Sequence, residues 1–144
     1  MAKLLKIYGK GVDTITEPLN NSISMNVFNL KQYIYETIDF QVDNKLAICY
    51  IDKHTFKRTN TTIDDTKGLV YVPFELKQVR MAAILSQDED GAVHGSIRTK
   101  GVIPACQVAQ SFGGGGHVNA AGFKSYSSYE EIKEQIIREA KKLL

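Results

Sequence analysis

Residues 113–116 are four consecutive glycines, and His117 follows them directly. No other feature restricts the fold as much. Glycines supply no core side chain, but they expose backbone N–H groups and reach positive φ, so the main chain can wrap closely around another group. Val108, Ala109 and Phe112 precede the run, and Ala120, Ala121 and Phe123 follow it. A flexible linker is flanked by polar residues. These flanks are apolar, so the run belongs inside a folded unit. The small residues after His117 predict the first turns of a closely packed helix. A glycine turn feeding a helix N-terminus gathers free N–H groups and the positive end of the helix dipole, and both favour an anion. His117 stands at that expected site, able to donate a hydrogen bond and, when protonated, to add a charge.

Around this loop the periodicities predict an α/β fold: a mixed β-sheet flanked by helices, with a glycine-rich phosphate-binding loop leading into a helix. Val27, Leu30, Ile34 and Ile38 recur at helical spacing. Residues 46–51 form a short apolar run that reads as a buried strand. Asp52 predicts the start of a single turn reaching Phe56. Thr62 and Asp65, three apart, predict a small capped helix. Residues 78–85 and 92–99 predict a hairpin around the Asp90-Gly91 turn signal. Pro104 opens a helix reaching Phe112. Ser128 and Glu131 form a capping-box pair ahead of the stripe Ile132, Ile136, Ala140 and Leu143.

The N-terminus reads differently. Leu4, Leu5, Ile7 and Tyr8 look like the apolar side of a helix, yet no capping residue precedes them. Residues 1–24 are therefore expected to be the end of a preceding domain or a linker, with a brief helix from Asp13 to about Leu19. Residues 25–144 are expected to form one domain. A composition of 43% hydrophobic and 24% charged residues is that of a soluble globular chain. The net charge of +2 is too weak to argue for a polyanionic partner by itself. No apolar run approaches the ~20 residues of a membrane span, and no cleavage-type apolar stretch follows the lysines of residues 1–8. Cys49 and Cys106 lie far apart and suggest buried free thiols in a reducing compartment, so the expected location is cytoplasmic.

Alternation along the second hairpin strand puts His94, Ser96 and Arg98 on one face and Val93, Gly95 and Ile97 on the other. Arg98 lies at the strand end, followed by Thr99, Lys100 and Gly101. A guanidinium matches phosphate oxygens bidentately, and a hydroxyl adds a donor. A polar strand face is ordinarily just solvated. Here the next helix returns directly to the glycine loop, so Arg98, Thr99 and His117 are expected to converge on one anion. The acidic pairs at 64/65, 88/90 and 130/131 fit helix starts and a hairpin loop, without a histidine at metal-ligand spacing. No metal is expected to bind this chain. His54 reads as a surface residue, and the chain has neither a nucleophile elbow nor a Walker loop.

These residues carry a resemblance. Ser96-Ile97-Arg98-Thr99-Lys100-Gly101, then Val108-Ala109-Gln110-Ser111-Phe112, then the glycine run with His117-Val118-Asn119-Ala120-Ala121-Gly122-Phe123 resemble the C-terminal DHH-associated domain of DHH-family phosphoesterases. The resemblance is nearest the branch of nanoRNases that also act on 3′-phosphoadenosine 5′-phosphate. Asp64-Asp65-Thr66-Lys67-Gly68-Leu69-Val70 is similar to a segment of the same branch. The likeness covers roughly residue 46 to the C-terminus, and more loosely the helix before it.

The resemblance implies a two-lobed enzyme. Its N-terminal domain holds two manganese or magnesium ions with aspartates and a DHH motif, and its C-terminal domain binds substrate and closes over the metals. The family's phosphate contacts carry over to Arg98 and His117, with Ser96, Thr99 and the backbone of Gly114, Gly115 and Gly116 beside them. Thr99 stands where the family usually has serine, and Tyr71 where it often has asparagine. The sequence has no DHH motif, so the metal half and the catalytic residues are expected outside this chain, which by itself is expected to be inactive. The implied substrates are short RNA or DNA oligonucleotides or nucleotide phosphates such as 3′-phosphoadenosine 5′-phosphate. The implied partner is the N-terminal DHH domain of the same protein, with no membrane involved and the oligomeric state left open. Two alternatives stand beside this: a nucleotide or single-stranded nucleic-acid binding module without catalysis, or the matching domain of a RecJ-like exonuclease or cyclic-dinucleotide phosphodiesterase. A binding module calls for stacked aromatic residues, and the seven tyrosines cannot be placed individually from sequence.

Overall fold

The computed structural model describes residues 22–144. The helices expected at residues 4–8 and 13–19 lie outside the described residues. Helix α1 (Met25–Thr37) starts where the Ser24 hydroxyl accepts from the Val27 N–H, and its stripe buries Leu30 and Ile34. Strands β1 (Asp39–Gln41) and β2 (Leu46–Ile51) follow. Asp52 caps α2 (Lys53–Thr59) by accepting from the Thr55 N–H at 2.8 Å. This helix outruns the single turn expected to Phe56, because Thr55, Phe56 and Thr59 all find buried positions before Asn60 ends it in the left-handed region. The Thr62–Asp65 capping box is present and opens a 3₁₀ turn over Ile63–Gly68, and a second 3₁₀ turn spans Val72–Glu75.

Strands β3 (Met81–Gln87) and β4 (Val93–Thr99) form the expected hairpin, antiparallel throughout. In its loop the Asp88 carboxylate accepts from the N–H groups of Asp90 and Ala92 and meets His94 Nε2 at 2.8 Å. The His94 hydrogen bond, helped by those two N–H groups, holds the Asp88 carboxyl below its usual range. His94 is thereby engaged at the far end of β4 from Arg98. Helix α3 (Ala105–Gln110), strands β5 (Gly115–Gly116) and β6 (Ala120–Ser125) and helix α4 (Tyr129–Leu143) complete the described residues. The Ser128–Glu131 capping box starts α4, which buries Ile132, Ile136 and Ala140.

The six strands form one sheet in the order β1-β2-β3-β4-β6-β5. The β2–β3 pair is parallel and the other pairs are antiparallel, so the sheet is mixed and the fold is α/β. One face packs Ile48, Leu85, Ile97 and Phe123 under α3 and α4. The other packs Cys49, Ile51 and Ile84 under α1, α2 and the 3₁₀ turns. No described helix is long and apolar enough to cross a membrane.

The expectation for the segment after the glycines fails. The glycine run leads into no helix: the chain turns at His117, Val118 and Asn119 and becomes β6. The small residues at 120–122 serve close strand pairing instead of close helix packing. Ala121 and Phe123 alternate into the core, and the Phe123 ring stacks on Phe112 with centroids 4.0 Å apart. The helix-dipole argument for an anion at His117 goes with the helix.

Cys49 is buried on β2, and burial pushes its thiol up to about 12. Cys106 is half-buried. Iodoacetamide at pH 8 is therefore expected to label Cys106 in the native protein and to reach Cys49 only after unfolding, as read by peptide mass. Prompt labelling of Cys49 would contradict this burial.

Candidate functional site

The candidate site lies where β4, β6 and β5 meet. Arg98 lies opposite Ala120 in the β4–β6 register, and the Ala120 carbonyl accepts from the His117 N–H at 2.8 Å. Arg98 and His117 thus flank one residue of the central strand. Ser96 lies opposite Gly122, which in turn pairs with Gly115. Strand alternation gives Ser96, Arg98, Ala120 and Gly122 a common face, opposite the one filled by Ile97, Ala121 and Phe123. The floor of this face is made of small residues, so another molecule can approach the backbone closely.

Arg98 is partly buried. Its Nη1 donates to the Ile97 carbonyl at 3.1 Å, while Nε is buried without a hydrogen-bond partner among the described residues. Among those residues no carboxylate pairs with it. Its guanidinium carbon lies 6.0 Å from the centroid of the Tyr71 ring, within cation–π range. His117 is exposed. A cation with uncommitted N–H donors and an exposed imidazole, one on either side of Ala120, suit an oxyanion ligand.

Thr99 is placed otherwise. Alternation turns it to the face opposite Arg98, and it is buried. Its hydroxyl donates to the Ile103 carbonyl at 2.6 Å, lies 3.1 Å from that of Val118, and accepts from Asn119 Nδ2 at 3.1 Å. The structure does not bring this hydroxyl together with Arg98 and His117. It ties the strand end to the loop that carries His117.

Asn119 has a role that its place in the sequence does not disclose. Its side-chain Nδ2 also donates to the carbonyls of Thr99, at 3.1 Å, and Gly101, at 2.9 Å, while its main-chain carbonyl accepts from the Thr99 N–H. Asn119 therefore fixes the His117 turn against the end of β4. Only the pairing of two strands twenty residues apart reveals this. Phe74 is also new to the site, and Tyr71, noted in the sequence only for standing where the family often has asparagine, joins it there. Their spacing of three, on the eclipsed geometry of a 3₁₀ turn, was the available signal.

Each glycine has its own steric setting. Gly113 turns the chain out of α3 with φ +83. A Cβ on Gly114 would run into the Gly122 carbonyl and the Phe123 backbone, and one on Gly116 into Ala120 and Ala121. Only Gly115 has open space above it and an unstrained φ.

Residues 32–144 match the family model of the DHHA1 domain. The chain is 30% identical over 124 residues, 86% of its length, to a protein of Streptococcus mutans described as a probable bifunctional oligoribonuclease and PAP phosphatase NrnA, of which it spans 39%. Its fold superposes on an exopolyphosphatase-related protein from Bacteroides fragilis with a TM-score of 0.79 and 27% identity, covering 94% of this chain and 41% of that one. It also superposes on the pGpG-specific phosphodiesterase PggH from Vibrio cholerae with a TM-score of 0.58 and 10% identity, covering 83% and 40% of the two chains. The chain thus spans about two fifths of each relative.

Proposed function

Because this chain belongs to the DHHA1 domain family, we propose that it is the substrate-binding part of a phosphoesterase that degrades short RNA or DNA oligonucleotides or 3′-phosphoadenosine 5′-phosphate. The placement of Arg98 and His117 on either side of Ala120 carries this reading. The relative from Streptococcus mutans supports the substrate class.

Arg98 holds substrate phosphate with its guanidinium fork, and His117 adds a second donor. The Ser96 hydroxyl and the backbone at Gly115 lie along the same face; Gly114 and Gly116 keep the ribbon close enough to β6 for that backbone to be offered. Thr99 acts through Asn119 as a positioning residue. Charge-assisted bonds of this kind fix the phosphate in place and leave the chemistry to another unit.

Among the described residues, no group of three or more His, Cys, Asp or Glu side chains could hold an ion. The likeness to DHH-family phosphoesterases is what assigns two manganese or magnesium ions to an N-terminal DHH domain of the same protein. Residues 25–144 are the substrate-binding domain, and residues 1–24 the end of that preceding domain or a linker to it, in a cytoplasmic protein.

The dinucleotide pApA tests the assignment. By calorimetry the chain is expected to bind it, and with manganese present the chain alone is expected not to hydrolyse it. Hydrolysis by the chain would overturn the division of labour, and an absence of binding would overturn the site. A stand-alone module would bind equally well, so the decisive contrast is hydrolysis regained on adding a DHH-domain polypeptide.

A further inference from the structure

We propose that Tyr71 is a stacking platform for a nucleobase, so that the site beside Arg98 takes a nucleotide unit with its base attached and discriminates against a bare sugar phosphate. The inference rests on the phosphate-binding role of Arg98, and it names the part of the ligand that role leaves undefined.

Tyr71 stands out from its own segment. Leu69, Val70, Val72 and Pro73 on either side of it are buried, whereas Tyr71 is 61% exposed. The backbone beneath it is held: the Phe74 N–H donates to the Tyr71 carbonyl at 3.0 Å, and the Val72 N–H to that of Leu69 at 3.1 Å. The Tyr71 hydroxyl makes no hydrogen bond among the described residues. A large ring on an anchored turn, with only two side-chain torsions to restrict, is ordered at small entropic cost.

A lone exposed tyrosine is ordinary on any surface. This one lies beside the proposed phosphate ligand, with the Arg98 guanidinium 6.0 Å from its centroid. A second pair stands next to it: the Phe74 ring lies 6.3 Å from that of Tyr71, with Lys100 Nζ 5.3 Å from its centroid. Two rings, each with a cation from the end of β4, alternate aromatic surface and positive charge. A nucleotide chain alternates base and phosphate in the same way, and single-stranded nucleic acid is held by such combinations. A phosphate on Arg98 and a base on Tyr71 are then neighbours within one nucleotide.

The experiment compares pApA with an abasic dinucleotide of the same phosphate count, by calorimetry on the whole chain. Tyr71→Ala is expected to weaken pApA by about 5- to 150-fold and to leave the abasic probe unchanged. Tyr71→Phe is expected to bind both as the native chain does, because stacking needs the ring and not the hydroxyl. The chain has no tryptophan, so Tyr71→Trp supplies a single tryptophan whose selectively excited fluorescence pApA should quench and the abasic probe should not. Equal weakening of both probes by Tyr71→Ala would assign Tyr71 to positioning Arg98 and overturn the inference. Native-like pApA binding by Tyr71→Ala, with binding lost in Arg98→Ala, would also overturn it while the phosphate reading survives. If Arg98→Ala alters neither probe, the phosphate reading falls and takes the platform with it.

Discussion

Gly114→Ala is expected to detach the β5–β6 ribbon and abolish pApA binding, while Gly115→Ala leaves the fold intact. The added Cβ at 114 meets the Gly122 carbonyl oxygen, and lies 2.7 Å from Phe123 Cβ and 2.9 Å from its Cα. These atoms belong to β6 or sit on its backbone, and they cannot swing away as a side-chain tip can. The Gly114 N–H is also committed, donating to the Ala109 carbonyl at 2.9 Å. Overpacking against fixed neighbours costs about 1–3 kcal/mol, sometimes more, or roughly 2–4 °C of melting temperature per kcal/mol in a chain of this size. At Gly115 nothing lies within 4 Å of the added carbon. Its melting point should hold, and any loss there should appear in binding alone. Thermal melts with parallel calorimetry read both quantities. A Gly114→Ala protein with native stability and affinity would show that the ribbon tolerates separation from β6.

The contrast explains what the glycine run conveys in sequence and what it conceals. It marks a tightly constrained backbone, as expected. Three of its four members, however, are accounted for by the fold itself: a turn at Gly113 and close approach to β6 at Gly114 and Gly116. The segment after it misleads because only Ala121 and Phe123 carry the period-two signal of β6. Two apolar positions cannot outweigh three small residues that suit a packed helix equally well. Elements with redundant signals are legible. The Thr62–Asp65 and Ser128–Glu131 pairs each name both ends of a capping box, and Leu30 and Ile34 repeat at helical spacing with both buried. Strand alternation correctly joins Ser96 to Arg98. Applied one residue further, it also places Thr99 on the core side, where its hydroxyl is spent on the main chain. Tyr71 could not be joined to Arg98 from sequence, since only the packing of a 3₁₀ turn beside a strand end brings positions twenty-seven apart together.

Arg98→Ala is expected to weaken pApA binding by about 1.5–3 kcal/mol, the range for a hydrogen bond to a charged group. Arg98→Lys should recover little of it, because an ammonium offers a point charge in place of the planar fork. The loss should leave the fold in place: Nη1 makes one bond, to the adjacent Ile97 carbonyl, and the Tyr71 contact is a ring contact at an exposed tyrosine. His117→Ala should also weaken binding while sparing stability, since His117 is exposed and the bond its residue makes to Ala120 comes from the backbone N–H. The two substitutions together decide how the residues cooperate. Groups holding one phosphate depend on each other, and the double variant should then lose less than the sum of the single losses, with a coupling of about 0.5–3 kcal/mol. Groups holding successive phosphates of a dinucleotide should give nearly additive losses. Because Arg98 and His117 flank the single residue Ala120 across adjacent strands, coupling is the expected result. Additive losses would divide the site into two phosphate positions, one on β4 and one on the His117 turn.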